Sequence, residues 1–272
     1  MNDQNTIFGW LDHLRTLFPI HHLVLIGAGA GTGPWVRYLQ AGNHEKVTLV
    51  EADKERFSHL QCVTSRQPGW RLGQQLIASE NGITLFHQAN LPSESGIVNP
   101  ELLRGLWANL RTSGQQSLQA ITLERLLADC PLPANWVVLD CLPATAILES
   151  AASFFEGIDV IAARVLLEDS AVCDGKGSLV SLRELLEARQ FRLLVVESSR
   201  NPGFGHALFV KDYASVVLQS RARLTESAEG VARLKTEIAE LKYRAKLQKD
   251  EVAAIEAQLA FFEESLLPDG SI

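Results

Sequence analysis

The chain has 272 residues, 46% apolar and 21% charged, a globular balance that excludes wholesale disorder and collagen-like architecture. A net charge of −7 and a pI of about 5.5 argue against a nucleic-acid-binding surface, because phosphate contacts need clustered lysine and arginine. Four scattered cysteines, Cys62, Cys130, Cys141 and Cys173, form no C-x-x-C pair, so neither a zinc finger nor a disulfide framework is expected. The first residues lack a basic segment followed by an apolar one, and no apolar run reaches the roughly 18 residues of a membrane span. A soluble, cytoplasmic protein is the expectation.

In chain order, Thr6 to Phe18 carries Phe8, Leu11, Leu14 and Leu17 at helical steps and predicts an amphipathic helix stopped by Pro19. His22 to Ile26 is too short an apolar run for a helix and reads as the first strand of a parallel sheet. Gly33 to Gln40 predicts a helix with Pro34 in its first turn, Lys46 to Glu51 a second strand, and Asp53 to Val63 a second sheet-covering helix. Trp70 to Ala78 predicts a third strand, and Ile83 to His87, after an Asn-Gly turn, an extra strand nearby. Leu91 to Ser117 reads as loop with helical patches. A short helix over Thr122 to Ala128, a strand over Trp136 to Asp140 and a helix over Thr145 to Phe155 follow. Asp159 to Leu167 predicts a strand, Leu179 to Arg189 a helix, and Phe191 to Glu197 and His206 to Lys211 the last two strands. Such alternation predicts a Rossmann-like, doubly wound, mostly parallel α/β sheet over residues 21–212, after an N-terminal helical segment 1–20.

Beyond Asp212 the pattern changes. From Val217 to Leu267 there is no proline and one glycine, Gly230. A seven-residue register puts Leu224, Val231, Ile238, Ala245, Val252, Leu259 and Leu266 at a, and Ser227, Leu234, Leu241, Gln248, Ile255 and Phe262 at d. Lys235, Glu237, Lys242, Arg244, Lys249, Glu251, Glu256 and Glu263 flank that seam. Sustained heptads with charged flanks predict a coiled coil over 213–267, about 75 Å long, with a short tail 268–272. Self-association through 217–267, or binding of a protein partner there, is the expectation, with polar Gln248 setting register.

The sharpest local signal is Gly27-Ala28-Gly29-Ala30-Gly31-Thr32-Gly33, between an apolar strand and a helix. Glycines let the chain turn tightly and let a ligand approach the backbone, and the helix start favours negative charge. Glu51 stands at the end of the second strand, where a carboxylate can accept hydrogen bonds from both ribose hydroxyls of a nucleoside. The dinucleotide pattern G-x-G-x-x-G fails, with Thr32 or Pro34 at its last position. That disfavours a nicotinamide-dependent oxidoreductase. The pattern G-x-G-x-G, associated with S-adenosylmethionine sites, fits Gly27, Gly29 and Gly31.

Four stretches then carry a family likeness. They are the glycine turn with Val47 to Asp53; Leu76 to Phe86; Ile121 to Leu127 with Trp136 to Asp140; and Ile158 to Ile161 with Phe191 and Ala207 to Val210. In this order, from about His22 to Asp212, the chain resembles the FkbM family of S-adenosylmethionine-dependent methyltransferases. The resemblance implies a class I methyltransferase fold, S-adenosylmethionine as cofactor, and O-methyl transfer to a sugar or other hydroxylated small molecule. It departs from the family at Leu25, where an acid usually stands two residues before the first glycine. It departs again after Asp140, where Cys141-Leu142-Pro143 replaces an acid-rich run, and at Ala162-Ala163-Arg164.

Methyl transfer needs alignment and, for a hydroxyl acceptor, a base. Asp140, at a strand's C-terminal end, is the catalytic candidate; Gly27, Gly29, Gly31, Glu51 and Ser79, the last near the expected adenine edge, are the cofactor-binding candidates. His87 is a rival base, and His21 and His22 read as surface residues without a third metal ligand. No G-x-S-x-G elbow supports a hydrolase. The alternative is a catalytically silent methyltransferase-fold scaffold that assembles through its coiled coil.

Overall fold

The structure, a computed structural model, describes residues 6–42, 44–168 and 172–265, with the backbone alone at 172, 173 and 262–265. The start of the expected 1–20 segment, the tail 268–272 and heptad position Leu266 lie outside the described residues, as do the side chains of Cys173, Phe262 and Glu263. The chain divides into two units, Met1–Asp212 and Tyr213–Ile272.

In the first unit, α1 (Ile7–Leu17) starts at Thr6, whose hydroxyl accepts from the Gly9 N–H at 3.2 Å. Then come β1 (Leu23–Ile26), α2 (Pro34–Ala41), β2 (Val47–Glu51) and α3 (Lys54–Thr64), the last capped by Asp53 accepting from Arg56 N–H. Next are β3 (Trp70–Gln74), β4 (Leu76–Ala78), β5 (Gly82–Ala89), two single turns of tighter helix at Pro92–Glu94 and Pro100–Leu103, and β6 (Thr112–Thr122). The remainder is α4 (Leu123–Ala128), β7 (Trp136–Leu139), α5 (Ala144–Glu149), β8 (Val160–Leu166), α6 (Leu179–Ala188), β9 (Phe191–Ser198) and β10 (Phe204–Lys211).

Seven strands form one sheet in the order β3-β2-β1-β7-β8-β10-β9, all parallel except β10, which runs antiparallel to both its neighbours. Because β1 is covered on both faces, its sequence is an unbroken apolar run. Val24 and Ile26 pack with Leu127, Ile147 and Leu182 on one side; Leu23 and Leu25 pack with Leu11, Trp35 and Leu60 on the other. Each such buried side chain contributes about 1.5–3 kcal/mol.

The rim at the N-terminal ends of these strands is knitted by Asn135. Its Oδ1 accepts from His21 and His22 N–H, and its Nδ2 donates to Pro19 O and to Asp159 Oδ2. All four hydrogen-bonding positions of the amide are used. His22 differs from its surface assignment: it is buried, its ring bonded to Leu132 O and Thr48 Oγ1. His21 is exposed.

Three further expectations are corrected. Trp70 to Ala78 is two strands in two sheets, since Gln75 N–H turns to bond Glu51 O and β4 leaves to pair with β6. The stretch read as loop up to Ser117 contains most of the 11-residue β6, centre of a three-stranded sheet β4-β6-β5. Its polar residues, Thr112 to Ser117, hid it. The expected helix Thr145 to Phe155 ends at Glu149, and a tighter helix spans Ala152–Gly157.

Among the described residues, the second unit is one helix, α7 (Tyr213–Ser265). Its 53 residues make it about 80 Å long. Its heptad side chains Leu224, Val231, Leu234, Ile238, Leu241, Val252, Ile255 and Leu259 are all exposed. Among the described residues no helix is long and apolar enough to cross a membrane.

Candidate functional site

The C-terminal ends of β1, β2 and β7 meet at one level, with Ile26 opposite Val50 and Leu139. A cleft opens there, where open α/β sheets bind ligands. It measures about 800 Å³, including the space open to solvent. Gly27, Glu51, Asp140 and Cys141 line it, with Ile26, Val50, Ile77, Phe86 and Leu142 as its apolar walls.

The glycine turn is built by the sheet below it. The N–H groups of Gly27 and Ala28 both donate to Val50 O, at 2.9 and 3.0 Å. Gly27 has φ of +80°, and a Cβ there would stand 2.7 Å from the Asp140 carbonyl oxygen. At Gly31 a Cβ would press on Leu60 and Val63 of α3, so that glycine serves packing. Gly29 donates its N–H to Glu51 Oε2 at 2.7 Å, and Glu51 Oε1 accepts from Asp53 N–H at 2.9 Å. Glu51 is only 4% exposed, yet it stands in the cleft wall.

Sequence reasoning missed three residues here. Arg56, at the start of α3, lays its guanidinium over Gly29, where an added Cβ would lie 2.5 Å from its Nη2. Its Nη1 donates to Pro92 O at 2.7 Å. From β8, Arg164 donates through Nη2 to both Glu94 oxygens, at 2.7 and 2.8 Å, and through Nη1 to Ser93 O at 3.0 Å. Its guanidinium stacks 4.1 Å from the Phe204 ring centre, and its Nε is buried without a partner. The pair is shielded, with side chains 11% and 5% exposed for Arg164 and Glu94. Two arginines from different elements thus hold residues 92–94 as a strap beside the cleft.

His206, on β10, is the third. Its Nε2 lies 3.0 Å from Asp140 Oδ1, and its ring meets Trp35 edge-on at 5.7 Å. Burial pushes the Asp140 carboxyl up, but the His206 hydrogen bond, the Arg164 charge, the His206 charge and the Arg56 charge together outweigh it. The carboxyl is held below its ordinary value. Next to it, burial and the Asp140 charge push the Cys141 thiol up to about 12, so it stays neutral.

Of the sequence candidates, Gly27, Glu51 and Asp140 come together in the cleft lining. Gly29 is tied to them through Glu51, and Gly31 faces α3. Ser79 is exposed and is not among the lining residues. His87 is buried; its backbone pairs with Gly96 and its Nδ1 lies 3.3 Å from Gln115 Nε2. The signal for Arg56 was its place in the turn after Asp53; nothing local marks Arg164 or His206.

The strand order, the single reversed strand and the cleft at the glycine turn define a Rossmann-like fold of the class I methyltransferase type. No protein-family model matches the sequence, and no curated protein matches it significantly. Among solved structures, the chain is similar to magnesium protoporphyrin IX methyltransferase from Synechocystis PCC 6803 with bound SAM. That match has 12% identity and TM-score 0.42 and covers 75% of this chain and 76% of that one. A ribosomal protein L11 methylase from Lactobacillus delbrueckii subsp. bulgaricus matches at 10% identity and TM-score 0.41, over 78% and 80% of the two chains. The bifunctional kinase-methyltransferase WbdD matches at 10% identity and TM-score 0.45, over 77% and 40%. Likeness at this level assigns neither cofactor nor substrate to this chain.

Proposed function

We propose that the cleft binds S-adenosylmethionine and that the domain transfers its methyl group to a hydroxyl of a small molecule or sugar. One observation carries the reading. Glu51 is a buried carboxylate in the cleft wall, oriented by two backbone N–H groups. An ionised carboxylate accepts about four hydrogen bonds. Two are used here, which leaves acceptor capacity for the two hydroxyls of a ribose. The apolar walls at Ile26, Val50 and Ile77 suit a base, so the residues present fit the nucleoside half of the cofactor.

Bound there, the cofactor supplies an electrophilic methyl group. The chain's own part is to place the acceptor and manage its proton. Asp140 stays ionised and accepts the hydroxyl's hydrogen bond; the Asp140–His206 pair holds the proton released on transfer. The FkbM-like order of motifs supports a hydroxylated acceptor.

Calorimetric titration with S-adenosylmethionine tests the reading. Micromolar binding is expected, lost in Glu51→Ala and weakened in Glu51→Gln, with both variants shown to be folded by their melting curves. No heat at millimolar cofactor overturns it. A second reading, a silent scaffold of the same fold, is favoured by Leu25. It is fully buried in the apolar layer under α1–α3, so no carboxylate stands where the resemblance places one for the cofactor's amino-acid end.

A further inference from the structure

The described heptad side chains of α7 are all exposed, and apart from the small Ala245 and the polar Ser227 and Gln248 they are large and apolar, forming a seam along the helix. A seam of that length needs a covering surface, and the charges beside it select one. In a parallel pair, each g residue meets the e′ residue five positions further along the partner helix. Glu237 would then meet Lys242, which attracts. Arg244 would meet Lys249, and Glu251 would meet Glu256, which both repel. Two of the three charged pairings are therefore wrong.

In an antiparallel pair, e faces e′ and g faces g′ in reversed order. The e edge begins with Lys235, Lys242 and Lys249 and turns to Glu256. Reversal sets its lysine half against its glutamate end. On the g edge, Arg244 lies five positions from Glu251 of the other copy, and only at the crossing itself do like charges meet, Lys249 and Glu251 each beside its own counterpart. With the crossing centred near Asp250, Leu241 pairs with Leu259, Ala245 with Ile255, and Gln248 with Val252. The two Gln248 side chains then lie in adjacent layers, where each can satisfy the other's amide.

We infer that α7 is the interface of an antiparallel homodimer: the partner is a second copy of this chain, crossing near residue 250. The inference does not depend on the methyltransferase reading.

Two measurements on the full-length chain test it. Spin labels at position 236, attached through a non-cysteine handle because Cys62 is exposed, should sit about 40 Å apart in the dimer, from 1.5 Å rise per residue. Labels at position 250 should be within about 25 Å, the breadth of two packed helices with their label arms. Short distances at both positions mean a parallel pair and overturn the inference; so does a monomeric mass by light scattering. Independently, Glu256→Lys should lower the concentration-dependent melting temperature of the dimer, and adding Lys242→Glu and Lys249→Glu should restore it. A rise in melting temperature with Glu256→Lys alone is the parallel result and overturns it.

Discussion

The two units of the chain use similar apolar residues to opposite effect. In the α/β unit, Leu25, Leu49, Leu139 and Phe209 are each 0% exposed, closed in between sheet and helices. In α7, Leu224 is 70% exposed and Ile238 51%. The first unit closes most of its large apolar side chains within its own layers. The second leaves a continuous apolar seam exposed. Apolar content alone therefore does not distinguish a core from an interface; the number of elements folding back on one another does.

The largest expected effect breaks the first unit without touching the second. Phe209→Ala empties a fully buried site in β10 and should cost about 3–5 kcal/mol in denaturant unfolding of the α/β unit. The dimer mass in native buffer should not change. A loss of dimer along with domain stability would show that the units are not independent in this respect.

A smaller effect separates the core from the polar ties at its rim. Glu94→Ala leaves Arg164 without its carboxylate in a shielded site and should cost about 1–3 kcal/mol. Hydrogen exchange should localise the change to residues 92–96. Exchange that rises evenly over the sheet would contradict a local strap.

The smallest effect is one of pH. The Asp140 carboxyl is held below its ordinary 3.8 in the folded protein. Its contribution to stability is thus complete above that value and fades as pH falls through the depressed one. Melting temperature between pH 6 and 2.5 should fall less steeply in Asp140→Asn than in the parent. Equal slopes would mean that the His206 contact does not hold the carboxylate.

What the sequence disclosed follows from how local each signal is. Residues 22–64 read correctly element by element, because an apolar run, a glycine turn and a helix start are all written within a few positions. Glu51 was legible for the same reason. Strand β6 was not, because Thr112 to Ser117 carries no apolar alternation and is held by pairing with β5. Arg56 and Arg164 converge on residues 92–94 from α3 and β8, and His206 reaches Asp140 from the last strand. Such meetings are made by topology, and no window of sequence contains them.

Asn135 carries a chemical vulnerability of its own. Its amide nitrogen donates to a backbone carbonyl and to the carboxylate of Asp159, while its oxygen receives two N–H groups. Hydrolysis of that amide to an acid would keep the acceptor and abolish both donations, setting two negative groups face to face. Loss of one ammonia from this position would turn the fastening of the far rim into a wedge.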